Sequence, residues 1–283
     1  MPNIAFLTSA ELASLTADDR LAIAPLEARG ARVVPAVWSD ETVAWERFDL
    51  VIIRSPWDWH VDPARFAARL DSIERRARVE NRGAAAWLDK RYLAQLGESG
   101  VRVVPTEVVA SRGELAAKVV KYNEPLVLKP ATAAGGAHTV RFGPDDDAGP
   151  TLDAILARGD VGLLQPFVPE VERDGEWSLL FYGGAFSHAL LKRPKRGEFR
   201  VQEEFGGSVE PKGAPREMID AASRALEVAG GGFLYARVDG IVVPRFGGFC
   251  VTELEVVEPE IFLRVHPEAP ERFAEAVMKR LRE

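Results

Sequence analysis

The sequence has few features of a secreted or membrane protein. Only one of its 283 residues is a cysteine, Cys250, so no disulfide can form within the chain. This favours a reducing compartment, and we expect a cytoplasmic location. No apolar run approaches the roughly 20 residues of a membrane-spanning helix. Residues 1–7 lack the basic segment and long apolar run of a signal peptide. We therefore expect no membrane partner.

Basic residues are outnumbered by acidic ones. The chain has 36 Lys and Arg against 43 Asp and Glu, a formal net charge of −7, and no basic tract. Nucleic acid is therefore not an expected partner. No convincing Ser–His–acid or Cys–His set is present in the sequence, which argues against a protein nucleophile. The hydrophobic content of 47% is ample for packed cores, and the length predicts two or three lobes.

The segment 235–258 is the most informative part of the chain. Two runs rich in β-branched residues flank the sequence Pro-Arg-Phe-Gly-Gly, which predicts a hairpin with a short glycine-containing loop. The predicted register places Asp239 opposite Glu253 and Arg237 opposite Glu255. The other predicted pairs are apolar: Val243 with Phe249, Val242 with Cys250, Ile241 with Val251, Val238 with Leu254 and Ala236 with Val256. Cys250 is expected to be a buried, unreactive thiol on the same apolar face as Val238.

Asp239, Glu253 and Glu255 crowd the other face of this hairpin. Like charges directly opposite each other destabilise a sheet, and neighbouring carboxylates protonate rather than share a site. A divalent cation would remove the conflict, because hard cations bind carboxylate oxygens. The three residues are therefore a candidate metal site. The alternative is a solvated, charged strand face, which is normal for an antiparallel sheet.

The N-terminal part of the chain predicts a small parallel α/β lobe. The expected elements are strands at 3–8, 32–38 and 49–54 and a helix at 18–29. Ligands bind beyond the carboxyl ends of such strands, and there the third strand leads into Arg54, Ser55, Trp57 and Asp58. These four residues are a candidate substrate-binding surface. The alternative is a structural loop in which the tryptophans cover a core edge and Arg54 pairs with Asp58.

A small-residue loop suggests phosphate binding. Lys129 ends a predicted strand and precedes the loop that contains Gly135 and Gly136. Such a loop lets backbone N–H groups approach phosphate oxygens, and a nearby lysine adds positive charge. It is not a P-loop, because the lysine precedes the glycines. Small residues are also common at hairpin tips, so this loop alone does not identify a nucleotide site.

The following segments add further candidate contacts. Gln165 begins an extended Gln-Pro-Phe-Val segment whose backbone groups can face a purine edge, and Glu172 follows where an acid can bind ribose hydroxyls. A hairpin at 176–193 is expected to turn at its paired glycines. A strand at 197–207 is expected to place Arg200 and Gln202 on one face.

The order of these motifs resembles the ATP-grasp superfamily, particularly its glutathione-synthetase-like and RimK-like members. It is most similar to the branch that closes the cycloserine ring, and the resemblance spans essentially the whole chain. It implies an α/β ATP-grasp fold with α+β lobes: an N-terminal parallel α/β lobe at 1–82, a small central lid lobe at 83–164 and a C-terminal antiparallel-sheet lobe with the metal site at 165–283.

The resemblance also implies roles for individual residues. The implied ATP contacts are Lys90, Lys129, Gly135, Gly136, Gln165, Phe167, Val168 and Glu172. The implied ligands of Mg²⁺, or of Mn²⁺, are Asp239, Glu253 and Glu255. The implied catalytic arginines are Arg193, Arg200 and Arg237, with Arg200 at the transferred phosphoryl group.

Three positions depart from the family pattern. Gln202 and Glu255 stand where asparagines are commoner, although Glu255 still offers an oxygen to a metal ion. Glu260 replaces the serine of the Glu-Pro-Ser sequence of the cycloserine-forming branch. Because this carboxylate is expected near the end of the site that receives the substrate, the substrate of that branch is not inferred for this chain.

The chemistry implied by the resemblance is the ATP- and magnesium-dependent activation of a carboxylate. An acylphosphate of a small amino-acid-like substrate would react with an amine, releasing ADP and phosphate. One alternative is a ring-closing synthetase, in which both reacting groups belong to one molecule. Another is a non-catalytic ATP-binding regulatory protein. The expected partners are ATP and the small substrate, and a homodimer is left open.

Overall fold

The computed structural model describes residues 1–136 and 138–283. Its first sheet is parallel, as predicted, with strand order β2-β1-β3. The three strands are β1 (Asn3–Thr8), β2 (Arg32–Val37) and β3 (Leu50–Ser55). Helices α1 (Ala17–Arg20), α2 (Ile23–Ala28) and α3 (Pro63–Glu74) belong to the same part of the chain.

The single helix expected at 18–29 is wrong, because two short helices form instead. Thr16 caps α1 by accepting from Asp19 N–H at 3.0 Å. A continuous helix would need the amide of Pro25 to donate to the carbonyl of Leu21, and proline has no N–H. In the first turn of α2 the missing donor costs nothing, since that turn leaves its N–H groups without intrahelical partners.

The middle sheet has four antiparallel strands in the order β4-β7-β5-β6. These are β4 (Glu107–Val109), β5 (Leu126–Pro130), β6 (Val140–Phe142) and β7 (Gly162–Pro166). Helix α4 (Tyr92–Glu98) precedes this sheet, and α5 (Arg112–Val119) and α6 (Gly149–Leu156) lie within it in sequence. The predicted boundary between residues 164 and 165 falls inside β7, and the three-lobe division stays a prediction.

The third sheet has five antiparallel strands in the order β10-β9-β8-β11-β12. They are β8 (Glu176–Tyr182), β9 (Ala185–Arg193), β10 (Ser208–Pro211), β11 (Tyr235–Val243) and β12 (Gly248–Glu255). Short helix α7 (Glu170–Arg173) precedes the sheet. The apolar stripes of α8 (Arg216–Val228) and α9 (Ala269–Arg282) pack into two separate hydrophobic clusters.

The hairpin of β11 and β12 has the predicted register only at the end that carries the charged residues. Asp239 pairs with Glu253 and Arg237 with Glu255, as predicted. A bulge then shifts the pairing by one residue, so Cys250 lies opposite Ile241 rather than Val242. Cys250 is buried as expected, but in the cluster with Ile241 and not with Val238. Its predicted face is therefore wrong.

The predicted strand at 197–207 is also absent from the described residues. Gly197 has φ +84°, and residues 203–205 form one turn of 3₁₀ helix before β10 begins at Ser208. Gly207 explains the sharp path of the chain here, because a Cβ at this position would lie only 2.1 Å from the carbonyl oxygen of Val201. Arg200 and Gln202 therefore sit on an irregular segment.

Buried polar contacts join the first sheet to the third. The hydroxyl of Tyr235 donates to the carbonyls of Ile53 at 2.8 Å and Val257 at 2.9 Å. Asn81 donates to the carbonyls of Tyr235 at 2.8 Å and Val256 at 2.7 Å. These bonds fix the start of β11 and the loop after β12 against β3 and the loop after α3. In the described ranges, every helix is too short or too polar to cross a bilayer.

Candidate active site

A cavity of about 830 Å³ lies where the middle and third sheets face each other. The middle sheet contributes Lys129 and Gln165 to its wall, and the third sheet contributes Asp239 and Glu253. Trp57, from the loop after β3, also lines it. The cavity therefore gathers side chains from two sheets and from the loop that follows β3.

The three predicted metal ligands lie together in this cavity. Asp239, Glu253 and Glu255 each offer one carboxylate oxygen, and these oxygens lie within 4.8 Å of one another. Arg237 bridges two of them, with Nε 3.1 Å from Asp239 and Nη2 2.6 Å from Glu255. Lys90 Nζ lies 2.6 Å from Glu253. An all-oxygen donor set of this kind suits a hard divalent cation, so the residues present fit a metal ion.

The three carboxyl groups differ in pKa in the metal-free protein. Burial alone would raise the pKa of Asp239, but Arg237 and Lys192 outweigh burial and lower it to about 2. Burial raises the pKa of Glu255 to about 8, although Arg237 opposes the rise. A raised pKa is the usual response of a buried carboxyl group that is crowded by other carboxylates without a metal.

Two lysines reach the cavity from different parts of the chain. Lys90 precedes α4 and donates to the carbonyl of Ala133 at 2.9 Å, besides its ion pair with Glu253. The ammonium group of Lys129, on β5, forms no ion pair or hydrogen bond with the residues that the structure describes. Burial and the nearby charge of Lys90 lower the pKa of Lys129 to about 8. A lysine held this way can gain an anionic partner from a ligand.

The predicted glycine loop packs against Arg200, whose Cδ would lie 3.3 Å from a Cβ placed at Gly136. Gly135 and Gly136 have φ values of +60° and +67°, which favour glycine, and both line the cavity. Arg200 donates to Glu198 at 2.6 Å and stacks 3.6 Å above the ring of Phe205. Ala137, in the same loop, lies outside the described residues.

Near the end of β7, the structure supports one part of the predicted adenine contact and corrects another. Gln165, Phe167 and Val168 line the cavity, and Gln165 donates to Thr106 at 2.8 Å. Glu172 does not line the cavity and instead pairs with Arg141 at 3.0 Å on the surface. The expected contact of Glu172 with a ribose is therefore corrected.

Glu176 and Lys192 line the cavity where Glu172 and Arg193 were expected. Lys192 Nζ lies 2.8 Å from Glu176 and 2.9 Å from Asp239. Arg193 points to the surface, where its side chain lies 3.7 Å from Glu210. Arg193, expected in the catalytic set, therefore lies outside the cavity, and its neighbour Lys192 lines the cavity instead. The hairpin predicted at 176–193 places Glu176 near Lys192 and Arg193. The sequence did not show which of these two basic residues faces the cavity.

The loop after β3 contributes its tryptophans and not its charged residues. Arg54 is 1% exposed and donates to Asp19 at 2.9 Å and to the carbonyl of Pro259 at 2.8 Å. Ser55 is buried, and its hydroxyl lies 3.0 Å from that of Thr8.

Asp58 accepts a hydrogen bond from Trp38 at 2.7 Å, does not line the cavity and forms no ion pair with Arg54. Direct substrate contact by Arg54, Ser55 and Asp58 is therefore corrected, and so is the Arg54–Asp58 pair. Trp57 lines the cavity as expected, and Trp59 joins it. Trp59 donates to Glu258 at 2.5 Å.

Comparison with known proteins decides the family. Residues 93–265 match the family described as prokaryotic glutathione synthetase, ATP-grasp domain. The chain belongs to the ATP-grasp family. Residues 4–81 match the N-terminal domain of D-cycloserine synthetase DcsG. The chain is thus an ATP-grasp ligase, an ADP-forming enzyme that makes carbon–nitrogen bonds and uses ATP and a divalent metal ion. This excludes the regulatory alternative.

Individual relatives support the same assignment. Cycloserine biosynthesis protein DcsG of Streptomyces lavendulae is 32% identical over 262 residues, which is 87% of each chain. A glutathione synthetase of Parasynechococcus marenigrum is 29% identical over 87% of this chain and 79% of its own.

Two solved structures confirm the fold. The crystal structure of D-cycloserine synthetase DcsG has a TM-score of 0.89 at 29% identity and covers 99% of both chains. D-alanine–D-alanine ligase from Bacillus anthracis, complexed with ATP, has a TM-score of 0.68 at 16% identity, covering 99% of this chain and 97% of its own.

Proposed function

We propose that this ligase activates the carboxylate of a small amino-acid-like substrate as an acylphosphate and joins it to an amine, giving ADP and phosphate. The observation that carries the proposal is the convergence of two lysines and a three-carboxylate cluster on one cavity. Lysines hold phosphate groups, and the carboxylates hold the cation that accompanies them. No protein nucleophile is required, because positioning and electrostatic stabilisation account for phosphoryl transfer.

The proposed nucleotide contacts follow the walls of the cavity. Lys90 and Lys129 hold the phosphates together with the backbone of Gly135 and Gly136, and Arg200 approaches the transferred group. Gln165, Phe167 and Val168 form the adenine wall. Glu176 lines the cavity beside Lys192 and takes the ribose role first expected of Glu172.

The proposed metal is Mg²⁺, with Mn²⁺ as the alternative, held by Asp239, Glu253 and Glu255. When bound, the cation neutralises charge on the phosphates. Arg237 lies between two of these acids and stays near the reacting groups as a further positive charge. A cytoplasmic location and the absence of nucleic-acid and membrane partners remain part of the proposal. A homodimer is left open.

Ring closure is a second candidate, supported by the similarity to D-cycloserine synthetase. In that reaction the attacking amine and the activated carboxylate belong to one molecule. Glu260 lines the cavity where the sequence comparison with that branch predicts a serine, and its carboxylate pairs with Arg264. We therefore keep the intermolecular ligase as the first candidate.

The experiment is an ADP-release assay with Mg²⁺, ATP, hydroxylamine and a panel of small acids. The panel contains alanine, serine and β-aminooxyalanine, each as both enantiomers. We expect at least one acid to give its hydroxamate and ADP in equal amounts. Formation of AMP, or no hydroxamate from any acid, would contradict the proposal. With β-aminooxyalanine and no hydroxylamine, a cyclic product lighter by one water would favour ring closure.

A further inference from the structure

Six of the eight acidic residues that line the cavity form ion pairs with described basic residues, and the other two are Glu258 and the exposed Glu204. Lys192 pairs with Glu176 and Asp239, and Lys90 pairs with Glu253. Arg237 pairs with Glu255, and Arg264 pairs with both Glu203 and Glu260. Each of these carboxylates therefore already has a cation from the chain itself.

Glu258 is different from these acids. It lines the cavity, yet none of the described basic residues forms an ion pair with it. Its one side-chain hydrogen bond comes from the indole of Trp59, 2.5 Å from Oε1. The other oxygen, Oε2, accepts no hydrogen bond from the described residues. Glu258 is also outside the three-carboxylate cluster, so a metal ion does not explain it.

The surroundings hold Glu258 in one position. Trp57 donates to its backbone carbonyl at 3.1 Å. The next two carbonyls are also fixed, that of Pro259 by Arg54 at 2.8 Å and that of Glu260 by Arg237 at 3.1 Å. A carboxylate on so rigid a backbone loses little freedom when it binds a ligand, which favours recognition.

The chemistry around Glu258 suits a positively charged nitrogen. A partly buried carboxylate without a cation is costly, and a ligand cation removes that cost. Trp57 and Trp59 line the cavity at this point, and both direct their indole N–H groups towards Glu258. Glu258 is close enough to Glu253 and Lys90 for their charges to interact, so a cation bound there lies near the phosphate and metal residues.

We propose that Glu258, flanked by Trp57 and Trp59, binds the α-ammonium group of the substrate and so selects α-amino acids over other carboxylic acids. This inference rests on the proposed function. It also replaces the expected role of Arg54, which acts here only by positioning the loop that carries Glu258. An ammonium held in this way stays protonated and is not the attacking amine.

Matched acids that differ only in the α-amino group test the inference. The pairs are alanine with propionate, serine with 3-hydroxypropionate, and β-aminooxyalanine with 3-(aminooxy)propionate, with hydroxylamine as the acceptor in every assay. The wild-type enzyme should prefer the amino acid of each reacting pair by about 10- to 100-fold in kcat/KM, the range of a charge-assisted hydrogen bond. Glu258→Gln should lose this preference through a higher KM for the amino acid, with kcat/KM for the des-amino acid unchanged.

Controls separate recognition from folding and from proton transfer. Glu210→Gln, an exposed substitution outside the cavity, should keep the wild-type preference. ATP affinity should be equal in the wild type and in Glu258→Gln. A fall in kcat for all acids, with KM unchanged, would indicate proton transfer and overturn the inference.

The outcomes also distinguish this inference from the proposed function. Full retention of the amino-acid preference in Glu258→Gln overturns the inference alone. No hydroxamate from any acid overturns both proposals. If Glu258→Gln does not fold, Glu258→Asp serves instead, and it should raise KM for the amino acid several-fold and leave the des-amino acid unaffected. Equal changes for both acids would overturn the inference.

Discussion

Lys129 provides a direct test of the nucleotide site, because its charge depends on the ligand. Its pKa in the empty cavity is about 8, lowered by burial and by Lys90 from an ordinary value of 10.5. About 90% of the side chains are therefore charged at pH 7 and about 10% at pH 9. A phosphate group beside the ammonium favours the charged form and raises this pKa on binding.

The affinity for ATP should depend on pH because the pKa of Lys129 is higher in the bound state than in the empty state. The bound state holds the proton more tightly than the empty state, so ATP binding takes up a proton and weakens as the pH rises through 8. Between pH 7 and pH 9 the dissociation constant should increase about tenfold, which corresponds to about 1.4 kcal/mol. At pH 8 Lys129 should contribute an uptake of about half a proton per ATP, measured as the difference between the wild type and Lys129→Met.

The assay is isothermal titration with a non-hydrolysable ATP analogue in two buffers of different ionisation enthalpy. Lys129→Met should abolish the proton uptake assigned to this residue and weaken binding by about 1.5–3 kcal/mol, the value of a lost charge-assisted hydrogen bond. Lys121→Met, at an exposed lysine outside the cavity, is the control and should bind as the wild type. Unchanged affinity and proton uptake in Lys129→Met would refute the assignment.

Three further predictions concern residues around the cavity. Asp239→Asn should abolish metal-dependent ADP release and destabilise the metal-free protein by roughly 1–3 kcal/mol, because Lys192 and Arg237 lose a buried anionic partner; an unchanged melting temperature together with normal turnover would contradict this. His188 has its pKa lowered to about 4 by burial and by His266, so it contributes stability above its ordinary value of 6.5 that is lost as the pH falls towards 4. Chemical denaturation at pH 7 and pH 4.5 should show this loss, and His188→Phe should reduce it by roughly 2–3 kcal/mol. Arg54→Met should leave Asp19 buried without its cation and cost about 3–5 kcal/mol in unfolding experiments, with ATP affinity of the folded protein unchanged; a loss of ATP affinity would instead place Arg54 in the site.

The structure changes the expected effect of removing a metal ligand. From the sequence, Asp239, Glu253 and Glu255 are three repelling acids, and removal of one should spare the fold. In the structure, each acid has a basic partner, and these partners come from distant parts of the chain. Lys90 is one of them, more than 160 residues before Glu253 in sequence. The stability of the metal-free cluster therefore depends on its cations, which the hairpin sequence alone does not show.

The sequence alone determined the parts of the site that depend on local pattern and order along the chain. Period-two alternation around a glycine loop placed Asp239 opposite Glu253 and Arg237 opposite Glu255, and the structure confirms both pairs. Strand and loop patterns also placed Lys129 beside the glycine loop. The order of the motifs predicted the ATP-grasp fold, which the family match confirms.

Only the tertiary structure decided which side of each strand faces the cavity beyond a bulge. The turn after Tyr182 pairs that residue with Ala185, and an unbroken ladder from there would put Arg193 on the face of Glu176. Ser187 is an extra residue in β9, so Glu176 pairs with Lys192 instead.

A second bulge, at Thr252, moves Cys250 to the other face in the same way. A shift of one residue moves every following side chain to the opposite face of the sheet. Such bulges are set by packing between strands rather than by local sequence. Burial of Arg54 against Asp19 likewise required the loop after β12 to pack on the first sheet. For this reason the sequence predicted correctly that the three acids of the candidate metal site lie together, and it misplaced Arg54, Ser55 and Asp58, which do not line the cavity.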